Sequence, residues 1–170
     1  SQIFDIAPFE LAAKVMIDFI SEIKETVGYE IRELNLGGGF GIKYLESDTP
    51  KPFSEYMKRV SVVVKNEAEK KNVKLPFILI EPGRSVVGAE GVTVYTVGAV
   101  KHIPNIRTYI SVDGGMTDNP RYILYQSDYD VMCANKANEP KTEKVTVAGK
   151  CCESGDLIQE NTPIQKVEAG

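Results

Sequence analysis

The chain has 170 residues, of which 42% are hydrophobic and 26% are charged, enough for one globular core or parts of two. The net charge is −4, the pI is near 5.2, and the sequence has no basic stripe. These properties argue against a nucleic-acid partner. No apolar run reaches membrane-spanning length, and three cysteines, two of them adjacent, make a poor disulfide framework, so we expect a cytoplasmic protein with no membrane partner.

The first half of the chain predicts a helix, a strand, a helix and a strand in turn. The first helix starts near Pro8 and stops at Gly28, and a strand over residues 31–36 follows it. The second helix runs from Phe53 to about Lys71, and the apolar run 77–80 predicts a strand covered on both faces. The expected apolar faces are Leu11, Val15, Met16, Phe19, Ile20 and Ile23 in the first helix and Phe53, Met57, Val60, Val63, Val64 and Ala68 in the second. This order indicates a parallel α/β unit.

Four glycines follow the first predicted strand: Gly37, Gly38, Gly39 and Gly41. Such a run lets backbone N–H groups approach a ligand closely and form an anion nest. At the carboxyl end of a parallel strand this arrangement predicts a phosphate site. A flexible turn is the alternative interpretation.

A carboxylate and a guanidinium emerge together after the strand 77–80, at Glu81 and Arg84, and Pro82 and Gly83 set the turn between them. The carboxyl ends of barrel strands are where active sites are built. Arg84 offers a planar fork that suits phosphate or carboxylate, and Glu81 could keep a ring nitrogen protonated through a charge-assisted hydrogen bond. A salt-bridged turn is the alternative.

The residues after Arg84 are rich in β-forming side chains, and no long helical pattern separates them. The predicted strands cover residues 92–97, 108–112 and 145–148. We therefore predict an antiparallel β domain, with the chain divided into residues 1–90 and 91–170.

Arg121 and Tyr125 would share one face if residues 119–125 form a helix, and together they could hold a carboxylate. Packing at the surface is the alternative, and it is the commoner role of such a pair.

The sharpest local signal is the run Cys-Cys-Glu-Ser-Gly-Asp at residues 151–156. Its thiols could donate a proton, act as a nucleophile or bind metal. We predict no metal site, because His102 is the only histidine and no Cys-x-x-Cys spacing exists, and a nucleophile would need a positioned base. A thiol proton donor beside Glu153 needs no further partner. Burial of both cysteines as small apolar residues is the alternative.

Together these motifs resemble the fold-type III pyridoxal-phosphate decarboxylases, and among them the diaminopimelate decarboxylases, over essentially the whole chain. Residues 37–41 match the loop that binds the cofactor phosphate. Residues 81–84 match a motif whose Glu faces the pyridine nitrogen and whose Arg lies near the phosphate and the distal carboxylate of the substrate. The segment 121–125 resembles Arg-Pro-x-Leu-Tyr, with Tyr122 in place of proline, and residues 152–156 match a Cys-Glu-Ser-Gly-Asp loop.

The resemblance implies pyridoxal 5'-phosphate as cofactor and decarboxylation of meso-2,6-diaminopimelate to L-lysine as the reaction. The implied cofactor-binding residues are Gly37, Gly38, Gly39, Gly41, Glu81, Gly83 and Arg84. The implied substrate-binding residues are Arg84, Arg121, Tyr125 and Glu153. The catalytic residue implied is Cys152, which would reprotonate Cα in the neighbouring active site of a homodimer.

The same resemblance implies the last part of a (β/α)8 TIM barrel followed by the start of a β domain. The lysine that carries the cofactor in this family would precede residue 1, and Lys136 lies in a polar loop that rules it out as a substitute. We therefore expect an internal piece of a longer enzyme that is inactive alone. Because half a barrel leaves strand edges unpaired, we expect this piece either to associate with another copy or to be a stable remnant of proteolysis.

Three alternatives stay open. A sister decarboxylase would act on ornithine, arginine or carboxynorspermidine, although Glu153 argues against the first two because the ornithine-type relatives carry Asp there. A non-catalytic homologue would keep the fold as a binding partner. An unrelated phosphate-binding barrel would leave the Cys-Glu-Ser-Gly-Asp loop without a role.

Overall fold

The computed structural model describes all residues from Ser1 to Gly170. They form two compact units, Ser1–Gly91 and Val92–Gly170. No helix in either unit is long and apolar enough to cross a membrane.

The first unit alternates helices and strands as the sequence predicts. Its elements are α1 (Ala7–Val27), β1 (Glu33–Asn35), α2 (Phe53–Lys70), β2 (Phe77–Leu79) and α3 (Gly83–Val87), followed by a 3-10 turn at Gly88–Glu90. The two strands pair in parallel, with Leu34 opposite Ile78. The predicted parallel α/β order is therefore confirmed, with α2 as the crossover between the strands.

The helix α1 ends as predicted but buries a different face. Gly28 adopts the left-handed conformation with φ of +72°, and its N–H donates to the carbonyl oxygen of Lys24. The buried residues of α1 are Phe9, Ala13, Ile17, Ile20 and Ser21, whereas Leu11, Val15 and Phe19 are exposed. The prediction was wrong about these three because α1 is apolar on more than one side, and spacing alone does not decide which stripe meets α2.

An aromatic core joins the helices to the start of the chain. Tyr56 of α2 is fully buried, and its hydroxyl lies within hydrogen-bond distance of the carbonyl oxygens of Ile3 and Phe4, at 3.0 and 3.2 Å. Phe9 and Phe40 stack beside it with ring centroids 4.9 Å apart. This core therefore anchors the segment that contains the glycines.

The expectation that β2 is covered on both faces is wrong for this chain. Phe77 is 75% exposed, and Ile78 and Leu79 are exposed as well. The sheet of the first unit has only two strands, so β2 has one neighbour and one unpaired edge.

The second unit is a four-stranded sheet with a mixed pattern of pairing. Its strands, in spatial order, are β3 (Val97–Ile103), β4 (Arg107–Val112), β5 (Glu143–Ala148) and β6 (Leu157–Ile164). The outer pairs are antiparallel as predicted, but β4 and β5 run parallel. A parallel pair needs a long crossover, and residues 113–142 provide it with the short helix α4 (Arg121–Tyr125) and a 3-10 turn at Ala134–Lys136.

The strand predicted over residues 92–97 is also wrong, because β3 begins only at Val97. Thr96 instead exchanges hydrogen bonds with Asp113, which donates its own N–H to the Thr96 carbonyl and accepts the Thr96 N–H on Oδ1. The strand β6 was not predicted, since polar residues interrupt its apolar ones; two of these, Gln159 and Thr162, are buried.

Candidate functional site

The glycine run follows β1 and takes conformations that glycine favours. Gly37 and Gly39 have φ of +72° and +93°. A Cβ at residue 38 would overlap the carbonyl oxygen of Glu81, so the two loops approach more closely than any other residue type permits. The N–H of Glu81 donates to the Gly37 carbonyl oxygen at 2.7 Å. The glycine loop and the turn that contains Glu81 are therefore in direct contact and are joined by a backbone hydrogen bond.

The far end of the run is held by the start of the chain. The N–H of Ile3 donates to the Gly39 carbonyl oxygen at 2.9 Å, and Gly41 returns an N–H to Ile3 at 3.1 Å. A Cβ at Gly41 would lie 2.8 Å from the ring of Phe4. Between these anchors the N–H groups of Gly38 and Gly39 donate to no acceptor within the chain, as an anion nest requires.

Asn35, the last residue of β1, is a candidate that sequence reasoning missed. Its Oδ1 accepts the N–H of Gly37 at 2.8 Å, and its Nδ2 donates to Glu81 Oε1 at 2.7 Å. One amide thus orients both the glycine loop and the carboxylate. The available signal was a polar side chain within the predicted strand 31–36, two residues before Gly37.

Arg84 lies in α3 and does not form the salt bridge with Glu81 that the alternative interpretation required. Its guanidinium carbon lies 5.9 Å from the ring centroid of Tyr44, and Glu81 bonds to Asn35 instead. Gly83 begins the same helix, where a Cβ would meet no atom within 4 Å. The Nη1 atom of Arg84 is buried without a hydrogen-bond partner. Because a buried unpaired donor is costly, this atom is suited to an anionic acceptor.

The helix α4 brings Arg121 and Tyr125 onto one face, with the guanidinium carbon 5.6 Å from the Tyr125 ring centroid. Arg121 Nη2 donates to Ser127 Oγ at 3.2 Å. Its Nε is buried and has no partner, whereas Tyr125 is exposed. The guanidinium is therefore anchored through Nη2, while its Nε is a donor without a hydrogen-bond partner.

Tyr122 links α4 to β6 through a network that sequence reasoning missed. Its hydroxyl donates to Glu160 Oε2 at 2.6 Å, and Arg107 Nη1 donates to Glu160 Oε1 at 2.5 Å. Burial and the Glu160 carboxylate raise the pKa of Tyr122 to about 12. The hydrogen bonds from Tyr122 and Arg107 in turn lower the pKa of Glu160. The signal was the tyrosine itself, at the position where the resembling motif has proline.

The Cys-Glu-Ser-Gly-Asp loop presents its functional groups to solvent. Cys152 is exposed and Cys151 is half-buried, so the alternative in which both are buried is wrong for Cys152. Burial, with a hydrogen bond to Asp156 as the second cause, raises the pKa of the Cys151 thiol. The exposed Glu153 accepts hydrogen bonds on Oε1 from Ser154 Oγ and the Gly155 N–H, both at 3.2 Å.

His102 and Lys136, the two other side chains considered in the sequence, make contacts within the second unit. His102 Nδ1 lies 2.9 Å from Thr108 Oγ1 on the neighbouring strand, and Lys136 Nζ donates to the carbonyl oxygen of Lys166 at 2.8 Å. No group of three or more His, Cys, Asp or Glu side chains is arranged to hold a metal ion.

Two protein-family models match the chain. The pyridoxal binding domain of the pyridoxal-dependent decarboxylases matches residues 1–88, and the C-terminal sheet domain of the same family matches residues 56–170. Since the two matches overlap over residues 56–88, the proposed boundary between residues 90 and 91 stays a prediction.

Several proteins similar to this chain are diaminopimelate decarboxylases. The diaminopimelate decarboxylase of Bacillus methanolicus is 47% identical over 169 residues, which are 99% of this chain and 39% of that protein. The Bacillus subtilis enzyme is 45% identical over 170 residues, with 100% and 39% covered. A crystal structure of diaminopimelate decarboxylase from M. jannaschii, solved also in complex with L-lysine, superposes with a TM-score of 0.84 at 31% identity over 100% of this chain and 38% of that chain. The chain thus spans about 39% of the length of these curated relatives.

The first unit fits the cofactor of this family, pyridoxal phosphate. The N–H groups of Gly38 and Gly39 and the buried Nη1 of Arg84 offer unpaired donors suited to a phosphate. The Glu81 carboxylate, oriented by Asn35, suits a protonated ring nitrogen. With part of a pyridoxal-binding barrel in its first unit and part of a sheet domain in its second, the chain belongs to the pyridoxal-dependent decarboxylases.

Proposed function

We propose that the full-length protein containing this chain decarboxylates meso-2,6-diaminopimelate to L-lysine. The observation that carries the proposal is the buried, unpartnered Nε of Arg121 on the same short helix as Tyr125, in a chain 47% identical to a diaminopimelate decarboxylase. A substrate with a carboxylate and an ammonium at its far end needs a guanidinium and a carboxylate to bind it. Arg121 and Glu153 provide these two groups.

Residues of the first unit hold the cofactor in this proposal. Gly37, Gly38, Gly39 and Gly41 shape the phosphate loop, Gly83 continues the turn to Arg84, and Arg84 neutralises phosphate charge. Glu81 keeps the pyridine nitrogen protonated. The bound cofactor supplies an electron sink for the carbanion left when carbon dioxide departs.

Residues of the second unit bind the substrate and move a proton. Arg121 and Tyr125 bind the distal carboxylate, with Arg84 as a further contact, and Glu153 binds the distal ammonium. The Cys152 thiol donates the proton that Cα receives, since an exposed thiol can act as a general acid. We propose a cytoplasmic homodimer in which Cys152 and Glu153 serve the neighbouring active site.

Carbon dioxide release by the full-length protein tests the reaction. With pyridoxal phosphate added, meso-diaminopimelate should be decarboxylated, while ornithine, arginine and carboxynorspermidine should not. Release from ornithine or arginine in preference would assign the protein to a sister decarboxylase. Release from none would indicate the binding homologue.

Two variants with matched controls test the residue roles. Arg121→Lys keeps the charge but loses the planar fork, so KM should rise about tenfold or more, while Arg59→Lys at a surface ion pair should change KM less than about twofold. Cys152→Ala should lower kcat by about a hundredfold or more, whereas Cys133→Ala should not. Full turnover by Cys152→Ala would rule out the thiol as proton donor.

A further inference from the structure

Asp156 is the one charged side chain that the chain buries, at 2% exposure, and the proposed reaction assigns it no role. Its Oδ1 accepts the N–H of Met116 at 2.5 Å, and its Oδ2 accepts the N–H of Cys151 at 2.6 Å. Neither N–H belongs to a helix or strand. One carboxylate therefore accepts hydrogen bonds from backbone N–H groups of two separate loops, in place of the backbone acceptors that these groups would have in a helix or strand.

Two glycines leave room for this carboxylate. A Cβ at Gly115, where φ is +153°, would lie 2.5 Å from Asp156 Oδ1, and a Cβ at Gly149 would overlap the carboxylate. Backbone bonds close the arrangement: the Gly149 N–H donates to the Asp156 carbonyl oxygen at 2.8 Å, and Lys150 donates to Gly114 at 3.0 Å.

Of the two loops that meet at Asp156, one carries residues of the proposed reaction and the other precedes the helix α4 that carries Arg121. The loop 149–156 carries Cys152 and Glu153. The loop 113–119 leads into α4, and it is itself folded by an N–H of Asn119 that donates to the Gly115 carbonyl oxygen at 2.8 Å. The carboxylate of Asp156 therefore joins the loop 149–156, which carries the exposed thiol, to the loop 113–119.

We propose that Asp156 is a positioning residue that locks the loop 149–156 to the loop 113–119 and thereby sets the place of Cys152. The effect on turnover rests on the proposed function, whereas the lock itself does not. An ionised carboxylate accepts on both oxygens, but the amide of asparagine has one acceptor oxygen and one NH2 donor. Asp156→Asn therefore keeps the size of the side chain and breaks one of the two bonds that it accepts from backbone N–H groups.

Hydrogen exchange at single-amide resolution in the full-length protein, without substrate, tests the lock. In the wild type the amides of Met116 and Cys151 should be protected although they lie outside helices and strands. In Asp156→Asn at least one of them should exchange about tenfold to a hundredfold faster, as expected for a lost bond to a charged acceptor. The amide of Ile110 in β4 should not change.

Unprotected Met116 and Cys151 amides in the wild type would overturn the lock, and this result requires no folded variant. Unchanged exchange in a folded Asp156→Asn protein would overturn it equally.

A double-mutant cycle on turnover separates positioning of Cys152 from general stability. Asp156→Asn alone should lower kcat about tenfold or more, but in a Cys152→Ala background it should add little, because both changes act through one thiol. Asp130→Asn, at an exposed ion pair with Lys141, is the control and should leave kcat unchanged in both backgrounds.

If the reductions in kcat caused by Asp156→Asn and Cys152→Ala multiply in the double variant, the proposal that Asp156 positions Cys152 would be overturned. If the wild type decarboxylates no substrate, the proposed function fails, and the exchange rates still decide whether Asp156 locks the two loops.

Discussion

At residue 38 a single methyl group would collide with the backbone of the Glu81 turn. Gly38→Ala should therefore lower the free energy of unfolding of the full-length protein by about 1–3 kcal/mol, because backbone cannot yield as a side chain does. The same shift should weaken binding of pyridoxal phosphate. Denaturant unfolding without cofactor and a cofactor titration measure the two effects.

Gly83→Ala is the matched control for stability, because a Cβ there meets no atom within 4 Å and lies at the start of α3. It should change the free energy of unfolding by less than about 1 kcal/mol. Equal destabilisation by both substitutions would contradict the close approach of the two loops.

Among the elements, α4 is short and is joined to β6 by a side-chain hydrogen bond. With only five residues it has little stability of its own, and Tyr122 bonds it to Glu160 on β6 at 2.6 Å. Tyr122→Phe should loosen the helix that carries Arg121 and raise KM for diaminopimelate about threefold to tenfold. Tyr29→Phe, at an exposed tyrosine, should leave KM unchanged.

The pH dependence of this link has a definite sign. Hydrogen bonding holds the pKa of Glu160 below its ordinary value of 4.5, so the stabilisation is complete above that value and is lost as the pH falls through the folded-state pKa. The difference in thermal midpoint between wild type and Tyr122→Phe should thus be larger at pH 7 than at about pH 4. A difference that grew on acidification would contradict the link.

For the molecule as a whole, the exposed apolar surface is the property that should govern association in solution. Leu11, Val15 and Phe19 lie exposed on α1, and β2 has an unpaired edge with Phe77 75% exposed. Contiguous apolar surface and free strand edges drive association, so the 170-residue chain alone should form oligomers that light scattering detects. Replacing Leu11, Val15 and Phe19 by Lys should shift the distribution toward monomer.

Asn66→Lys, at an exposed position of α2, controls for added charge and should not change the oligomer size. A wild-type chain that stays monomeric at every concentration would show that these apolar surfaces do not associate.

The sequence by itself predicted features that depend on residues close together along the chain. Gly28 ends α1, the glycines from residue 37 follow a strand directly, and helical spacing brings Arg121 and Tyr125 together. Each of these is decided within one or two turns of backbone, where φ preferences and spacing act. The family resemblance rested on the same short motifs.

Tertiary structure alone decided which surfaces and side chains meet. It selected the Phe9 and Ile17 face of α1, it made β4 and β5 parallel, and it placed Asn35 on Glu81. Asp156 reaches Met116 across a sequence separation of 40 residues. Such contacts follow from how the elements pack and how the chain crosses over between them. The energy of each contact depends on two residues that are far apart in the sequence, so the periodicity within a local window does not reveal it.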